Sequence, residues 1–187
     1  AYTDCVSGLF PTQADAQARA AACSKALQSR QLRPDEIALA RLTRGIARTA
    51  LGDRVLAGED YVDAVQRYDR LIDPANPDSL ALYRRAVALA ASGQTDKALE
   101  DYSAAIKADP KSSFAFLGRG VLLAARKRAY DRAIEDFDKV LVIEPDNVEA
   151  LVSRGDAFGE LSDLGRAMAD LNRAVALAPD KPTVLLA

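Results

Sequence analysis

The chain contains no histidine and no tryptophan, and only one methionine and two cysteines among its 187 residues. Without histidine there is no imidazole to form a Ser–His catalytic pair, to bind zinc, or to exchange protons near neutral pH. These absences exclude the commonest enzyme chemistries. We therefore predict a protein that is not an enzyme and that uses no cofactor and no metal.

Long apolar runs and an excess of one charge are also missing. The strongest apolar run, Val121–Ala125, is interrupted by Arg126, far short of the roughly 20 residues that a membrane helix needs. Lys and Arg number 25 against 27 Asp and Glu, which is not the balance of a nucleic-acid binder. We predict neither nucleic-acid binding nor membrane insertion, while a hydrophobic content of 49% is typical of a core-forming protein.

A pattern recurs three times in the second half of the chain. Each copy has Arg followed by Ala or Gly, then Ala, an aromatic or Leu, a small or branched residue, and finally Pro. The matching positions are Arg85/Ala86/Ala98/Tyr102/Ala105/Pro110, Arg119/Gly120/Ala133/Phe137/Val140/Pro145 and Arg154/Gly155/Ala167/Leu171/Ala174/Pro179. The copies span 79–112, 113–147 and 148–181. A regular period of about 34 residues indicates a repeat architecture.

Each copy contains two segments whose apolar residues lie three or four positions apart, the spacing of a helix. Gly120 and Gly155 recur inside the first segment, although glycine costs about 1 kcal/mol relative to alanine in a helix. We therefore expect the second helix to approach closely there, with Ala133 and Ala167 facing the glycines. A helical hairpin alone leaves an apolar face uncovered, so neighbouring copies are expected to stack.

At these residues the chain resembles the tetratricopeptide-repeat family, whose pattern places small, aromatic and proline residues at these sites. The resemblance implies an all-α fold, a right-handed α-solenoid of stacked antiparallel helical hairpins. The chain departs from the family pattern where Arg85, Arg119 and Arg154 stand in place of Leu.

A looser copy precedes the three. Arg44-Gly45 matches the first helix, and Ala64, Tyr68 and Leu71 are expected to match the second. The interval from Gly45 to Ala64 is seven positions longer than the interval from Ala86 to Ala98. Either the first helix is lengthened through Ala47–Leu56, or Gly52 ends it and a loop follows. The expected organisation is an N-terminal segment with a capping helix (1–33, helix Thr12–Arg30), a degenerate, lengthened repeat (34–78), three regular repeats (79–112, 113–147, 148–181), and the start of a C-terminal helix or tail (182–187).

Each regular copy also pairs an arginine on its first helix with an aspartate on its second. The pairs are Arg85/Asp101, Arg119/Asp136 and Arg154/Asp170. We interpret them as structural ion pairs between helices. Because Arg67 occupies the matching position in the degenerate copy, the pair is expected to be absent there.

In the resembling family, ligands bind the concave surface formed by the first helices. Its positions, here called the inner residues, are Leu39, Leu42, Ile46, Leu80, Tyr83, Arg84, Val87, Phe114, Leu117, Val121, Glu149, Val152, Ser153 and Asp156. This surface is apolar over three copies and acidic in the fourth. It suits an amphipathic helix or extended peptide with a basic residue near Glu149, Asp156 and Glu160. We predict a protein-interaction scaffold or adaptor that binds a peptide or protein segment.

Two alternatives concern the same surface. The inner residues could be covered by helix Thr12–Arg30, by the lengthened first helix, or by a second copy of the chain. In the last case the protein is a self-assembling structural protein that uses the groove or its C-terminal hairpin as the interface. One subclass of the family binds chaperone C-termini through Lys and Asn, but those positions hold Leu42, Ile46, Tyr83 and Val87 here. Chaperone-tail binding is not predicted.

The cysteines, Cys5 and Cys23, allow two interpretations. They form a disulfide between the N-terminal segment and the capping helix, or Cys23 is a small buried side chain. We predict the disulfide, which indicates an oxidising compartment. The segments around both cysteines, with the repeats, resemble exported bacterial proteins that carry such repeats. This resemblance implies a periplasmic or secreted location, with the cytoplasm as the alternative.

Overall fold

The computed structural model describes residues 2–6, 12–29 and 31–178. In these ranges the regular structure is entirely helical. The helices are α1 (Tyr2–Val6), α2 (Gln13–Gln28), α3 (Pro34–Ala50), α4 (Arg54–Leu71), α5 (Ser79–Ala91), α6 (Thr95–Ala108), α7 (Ser113–Lys127), α8 (Tyr130–Ile143), α9 (Val148–Glu160) and α10 (Leu164–Leu177). The expected element at 182–187 lies outside the described residues. The chain divides into unit 1, Ala1–Asp101, and unit 2, Tyr102–Ala187.

Unit 1 begins with two helices joined by a disulfide. The Thr12 hydroxyl accepts a hydrogen bond from the backbone N–H of Asp15 at 3.1 Å and so caps α2. Cys5 of α1 and Cys23 of α2 are bonded to each other, as the sequence predicts. Both cysteines are fully buried and pack with Ala26 and Ala40. The capping helix therefore rests on α3 through small side chains.

The turn between α3 and α4 decides between the two expectations for the degenerate copy. Helix α3 ends at Ala50, and Gly52 adopts a φ of 80°, a conformation that glycine tolerates best. Helix α4 starts only two residues later, at Arg54. The expectation of a first helix reaching Leu56 is wrong: Gly52 ends the helix, in a tight turn instead of a long loop.

The expected register of the second helix in this copy is also wrong. A Cβ on Gly45 would lie 2.6 Å from the Tyr61 ring, as a Cβ on Gly120 would lie 2.6 Å from Phe137. Counting back four residues from Tyr61 gives Ala57 as the equivalent of Ala133. The interval from Gly45 to Ala57 is then the same as those from Ala86 to Ala98 and from Gly155 to Ala167. The predicted Ala64 follows Ala57 by seven residues, about two turns of the same helix face. The first helix is therefore not extended beyond Gly52 to fill the interval, and α4, with 18 residues against 14 in α6, α8 and α10, is itself longer than its counterparts.

In unit 2, as in unit 1, a small residue on the first helix leaves room for a large side chain of the paired helix. The close approach expected at the glycines is present at Gly120 and Gly155. The nearest groups are the Phe137 ring at Gly120, and the Leu171 side chain with the Ala167 carbonyl oxygen at Gly155. The side chain nearest to Gly120 is therefore not Ala133, as expected, but the Phe137 ring one turn further along the helix.

The arginine and aspartate side chains of each pair form bidentate hydrogen bonds. The Nε and Nη2 atoms of Arg119 donate to the two carboxylate oxygens of Asp136 at 2.9 and 2.7 Å. Arg85 binds Asp101 in the same way at 2.6 and 2.7 Å. Arg154 repeats this geometry with Asp170. The hydrogen bond to Asp136 raises the pKa of Arg119, although burial opposes the shift. The arginines are thus charged anchors between paired helices.

The prediction that this pair is absent from the degenerate copy is wrong. Asp60, three residues after Ala57, is fully buried and accepts from Arg44 Nε and Nη2 at 2.8 and 2.7 Å. Arg48 and Arg41 add hydrogen bonds to the same carboxylate at 2.6 and 3.1 Å. The predicted alignment misses this pair because it places Ala64, instead of Ala57, at the position equivalent to Ala133. Arg67 instead contacts Asp63 on its own helix at 2.9 Å.

Candidate functional site

The inner residues of unit 1 are only partly accessible. Leu42 is 4% exposed and packs with Tyr61 in the core of the unit, so the structure corrects its assignment to a binding surface. Ile46 and Val87 are half-buried against the same core. Leu39, Tyr83 and Arg84 are half-buried as well, and Leu80 is exposed. The apolar surface expected in this unit is therefore smaller than the sequence predicts.

The charge of Arg84, the charged inner residue of unit 1, acts on two tyrosines. Burial raises the pKa of Tyr68, and the nearby Arg84 charge works in the opposite direction. The pKa of Tyr2 on α1 is also raised, first by burial and then by Glu36, and Arg84 opposes that shift too. The charge of this inner residue therefore influences side chains on both α1 and α4.

The inner residues of unit 2 are more accessible. Phe114 and Val121 of α7 are exposed to 37% and 40%. Leu117 and Val152 are half-buried and pack on the cores beneath them. Along α9, Glu149 and Asp156 are exposed and Ser153 is half-buried.

A cleft of about 270 Å³ lies in unit 2 between α7, the first turns of α8, and α9. It is here called the α7–α9 cleft. Its apolar walls are Val121, Ala124, Ala125, Phe137 and Ala157, and its polar residues are Tyr130, Ser153, Asp156 and Glu160. The volume lies just below the roughly 300–1,000 Å³ that is usual for drug-sized ligands. The cleft therefore suits one or two side chains better than a whole small-molecule ligand.

The walls of the cleft follow helix periodicity. Val121, Ala124 and Ala125 lie at i, i+3 and i+4 on α7, so they share one face. Alanine leaves room where a larger residue would fill the space between the helices. Asp156 and Glu160 are one turn apart on α9 and so stand side by side.

The acidic pair is unevenly compensated. Glu160 accepts a hydrogen bond from the Tyr130 hydroxyl at 3.1 Å, and the Arg128 guanidinium lies 3.4 Å from its carboxylate. Asp156 has no hydrogen bond or ion pair to any side chain or backbone group that the structure describes. Partial burial raises the pKa of Asp156, and the neighbouring charge of Glu160 raises it further. The cleft thus contains one carboxylate that would gain from a positively charged partner.

The structure brings only some of the predicted residues together. Of the inner residues, Val121, Ser153 and Asp156 line the cleft, while Glu149 does not. The sequence did not indicate five of the lining residues as parts of a site: the two alanines of α7, Tyr130, Phe137 and Ala157. The i, i+3, i+4 spacing from Val121 could have indicated the alanines. Nothing in the repeat pattern indicates Tyr130, which follows a break at Arg128, where φ is 49°.

The stacked hairpins and the shared arginine pairs define an all-α repeat protein. The tetratricopeptide-repeat family matches the chain in three overlapping windows, residues 49–113, 83–143 and 117–182. These windows cover well over half of the sequence, and the chain belongs to this family. Tetratricopeptide repeats are a protein-interaction fold. Within the described residues, no helix is both long and apolar enough to cross a bilayer.

Solved structures support the same fold. A crystal structure of MamA protein is 20% identical, with 100% of this chain and 94% of that chain covered at a TM-score of 0.59. YrrB, described as a TPR protein with an unusual peptide-binding site, is 19% identical over 92% of this chain and 82% of its own, with a TM-score of 0.57. The first TPR of Spaghetti (RPAP3), bound to HSP90 peptide SRMEEVD, is 22% identical over 61% of this chain and 88% of its own, with a TM-score of 0.56. No curated protein matches the chain. The predicted fold class, an α-solenoid of helical hairpins, is confirmed.

Proposed function

We propose that the protein is a non-enzymatic scaffold that binds a peptide or protein segment on the first helices of unit 2. The observation that carries the proposal is the α7–α9 cleft, an apolar depression in which the predicted inner residues Val121, Ser153 and Asp156 meet. Exposed Phe114 extends the apolar surface along α7. Structural neighbours with bound or described peptide sites support this mode of action.

The HSP90 peptide of one neighbour is not the ligand that we expect. The positions that hold Lys and Asn in carboxylate-binding relatives are occupied here by Leu42, Ile46, Tyr83 and Val87. None of these side chains can neutralise a peptide C-terminus, and Leu42 is buried. We therefore propose recognition of internal side chains of a segment in place of its terminal carboxylate.

Peptide selection tests the proposal. Peptides selected from a random phage-displayed library on the wild-type protein are measured against Val121→Asp and Val142→Asp. Both valines are exposed, to 40% and 79%, but only Val121 lines the cleft. We expect Val121→Asp to weaken binding at least tenfold, or roughly 1.4 kcal/mol, and Val142→Asp to leave it unchanged. Equal affinity for all three proteins would contradict the proposed surface.

Self-assembly is the second candidate, and a specific feature favours it. Leu164 and Met168, one turn apart on α10, are exposed to 67% and 63%. Large contiguous patches of exposed apolar side chains mark contacts between proteins, and these two residues would lie in such a patch. If this face joins two copies, light scattering will show a mass that rises with concentration and falls to the monomer in Met168→Asp. A monomer at every concentration would remove this candidate.

We also propose that the protein works in the periplasm or is secreted, and the buried disulfide between Cys5 and Cys23 supports this location. The cytoplasm remains the alternative. Cell fractionation with thiol labelling tests it. A disulfide-bonded periplasmic or secreted pool is expected, and a fully reduced cytoplasmic pool would contradict the proposal.

A further inference from the structure

The α7–α9 cleft combines apolar walls with two carboxylates. The methyl groups of Val121, Ala124 and Ala157 form apolar walls, and Asp156 and Glu160 stand together on α9. Like charges one turn apart on a helix repel each other and destabilise it. A cation placed between them would relieve this repulsion.

We propose that this cleft selects a lysine side chain of the bound segment, with its aliphatic stem along the walls and its ammonium at Asp156 and Glu160. The inference rests on the proposed function and adds the chemistry of the ligand. A lysine stem is itself apolar and commonly lies on apolar surface while its charged end stays at the rim. Exposed Asp156 leaves that end in contact with water, which avoids the cost of burying a charge.

One cation of the chain already lies beside the acidic pair. Arg128, itself exposed, lies 3.4 Å from Glu160 and also sits over the Tyr130 ring, 5.9 Å from its centre. Its guanidinium compensates Glu160 from outside the cleft but forms no ion pair with Asp156. Arg128 is therefore a competitor for one carboxylate and leaves the other available to the ligand.

Two probes that differ only in charge test the inference. The peptide acetyl-Ala-Leu-Lys-Leu-Ala-amide is compared with the same peptide carrying norleucine, which keeps the aliphatic stem without the ammonium. Both are titrated into ¹⁵N-labelled protein, and amide shifts give affinity and location. We expect the lysine peptide to perturb amides around Ser153 and Asp156 and to bind about tenfold more tightly than the norleucine peptide, the worth of one charge-assisted contact.

Three variants separate the cleft carboxylate from general electrostatics. Asp156→Asn is expected to abolish the preference for lysine, whereas Glu135→Gln makes the same charge change on the exposed surface of α8 and should keep it. Arg128→Asn should strengthen lysine binding severalfold, because it removes the competing cation while Asn tolerates the positive φ. No change or a loss of affinity in Arg128→Asn would contradict the assignment.

The outcomes distinguish this inference from the proposed function. If both probes bind the cleft equally, the segment-binding surface stands but the choice of lysine is wrong. If the lysine peptide causes no shifts in the cleft up to about 1 mM, the weak end of measurable affinity, the inference is overturned. The affinities of the phage-selected peptides for the wild-type protein and Val121→Asp then test the proposed function independently.

Discussion

Replacing Asp60 with asparagine tests the buried charge cluster of unit 1. The side chain of Asp60 is 0% exposed and accepts hydrogen bonds from Arg41, Arg44 and Arg48. Asparagine would keep the shape of the side chain but leave these guanidinium groups without their shared counter-charge. Breaking a buried ion pair by removing one partner costs about 3–5 kcal/mol.

The matched control is Asp138→Asn in unit 2. Asp138 also binds an arginine, at 2.5 Å from Arg154, but its side chain is 52% exposed. An exposed pair is worth about 0–1 kcal/mol. Urea unfolding followed by circular dichroism should therefore give a loss of about 3 kcal/mol or more for Asp60→Asn and less than about 1 kcal/mol for Asp138→Asn. A loss below about 1 kcal/mol for both variants would refute the reasoning that burial makes Asp60 indispensable.

Three further predictions concern packing, the disulfide and pH. Gly45→Ala should destabilise the protein by about 1–3 kcal/mol, because the new Cβ would lie 2.6 Å from the Tyr61 ring. The control Gly58→Ala, where a Cβ would have nothing within 4 Å, should stabilise the protein by up to about 1 kcal/mol in thermal melts. Reducing the disulfide should lower stability by roughly 3 kcal/mol on the chain-entropy model, and two reactive thiols in the unfolded, unreduced protein would contradict the bond. Hydrogen bonds from Ser113 and Asn147 lower the pKa of Glu144. The stabilising contribution of Glu144 is therefore present above its unfolded pKa and is lost as the pH falls through its folded pKa. Ser113→Ala should raise the pKa of Glu144 in a carboxyl NMR titration, and an unchanged pKa would count against the contact.

The regular repeats could be predicted from the sequence because their local signals agree. Arginine before a small residue on the first helix, an alanine near the start of the second helix, and an aspartate three residues after that alanine recur together. The degenerate copy shows where such reasoning stops. Ala57 and Ala64 lie on the same helix face, and periodicity alone cannot choose between residues two turns apart. The contact between Gly45 and Tyr61 makes the choice, and that contact is tertiary.

Part of the lining of the candidate cleft coincides with residues named from the sequence, but the shape of the cleft could not be predicted. The family resemblance indicated Val121, Ser153 and Asp156, and these residues do line the α7–α9 cleft. It could not show that Leu42 is buried, because that depends on how Tyr61 packs against α3. The resemblance also could not place Tyr130 at the cleft, because the position of that side chain depends on the backbone turn at Arg128 before α8.

The most direct measurement of the central claim is chemical-shift mapping of a phage-selected peptide on ¹⁵N-labelled protein. Binding on the first helices predicts perturbed amides in unit 2 along α7 and α9, centred on Val121 and Asp156, with the outer surface of α8 unaffected. Perturbations confined to α8 or to the exposed face of α10 would contradict the account.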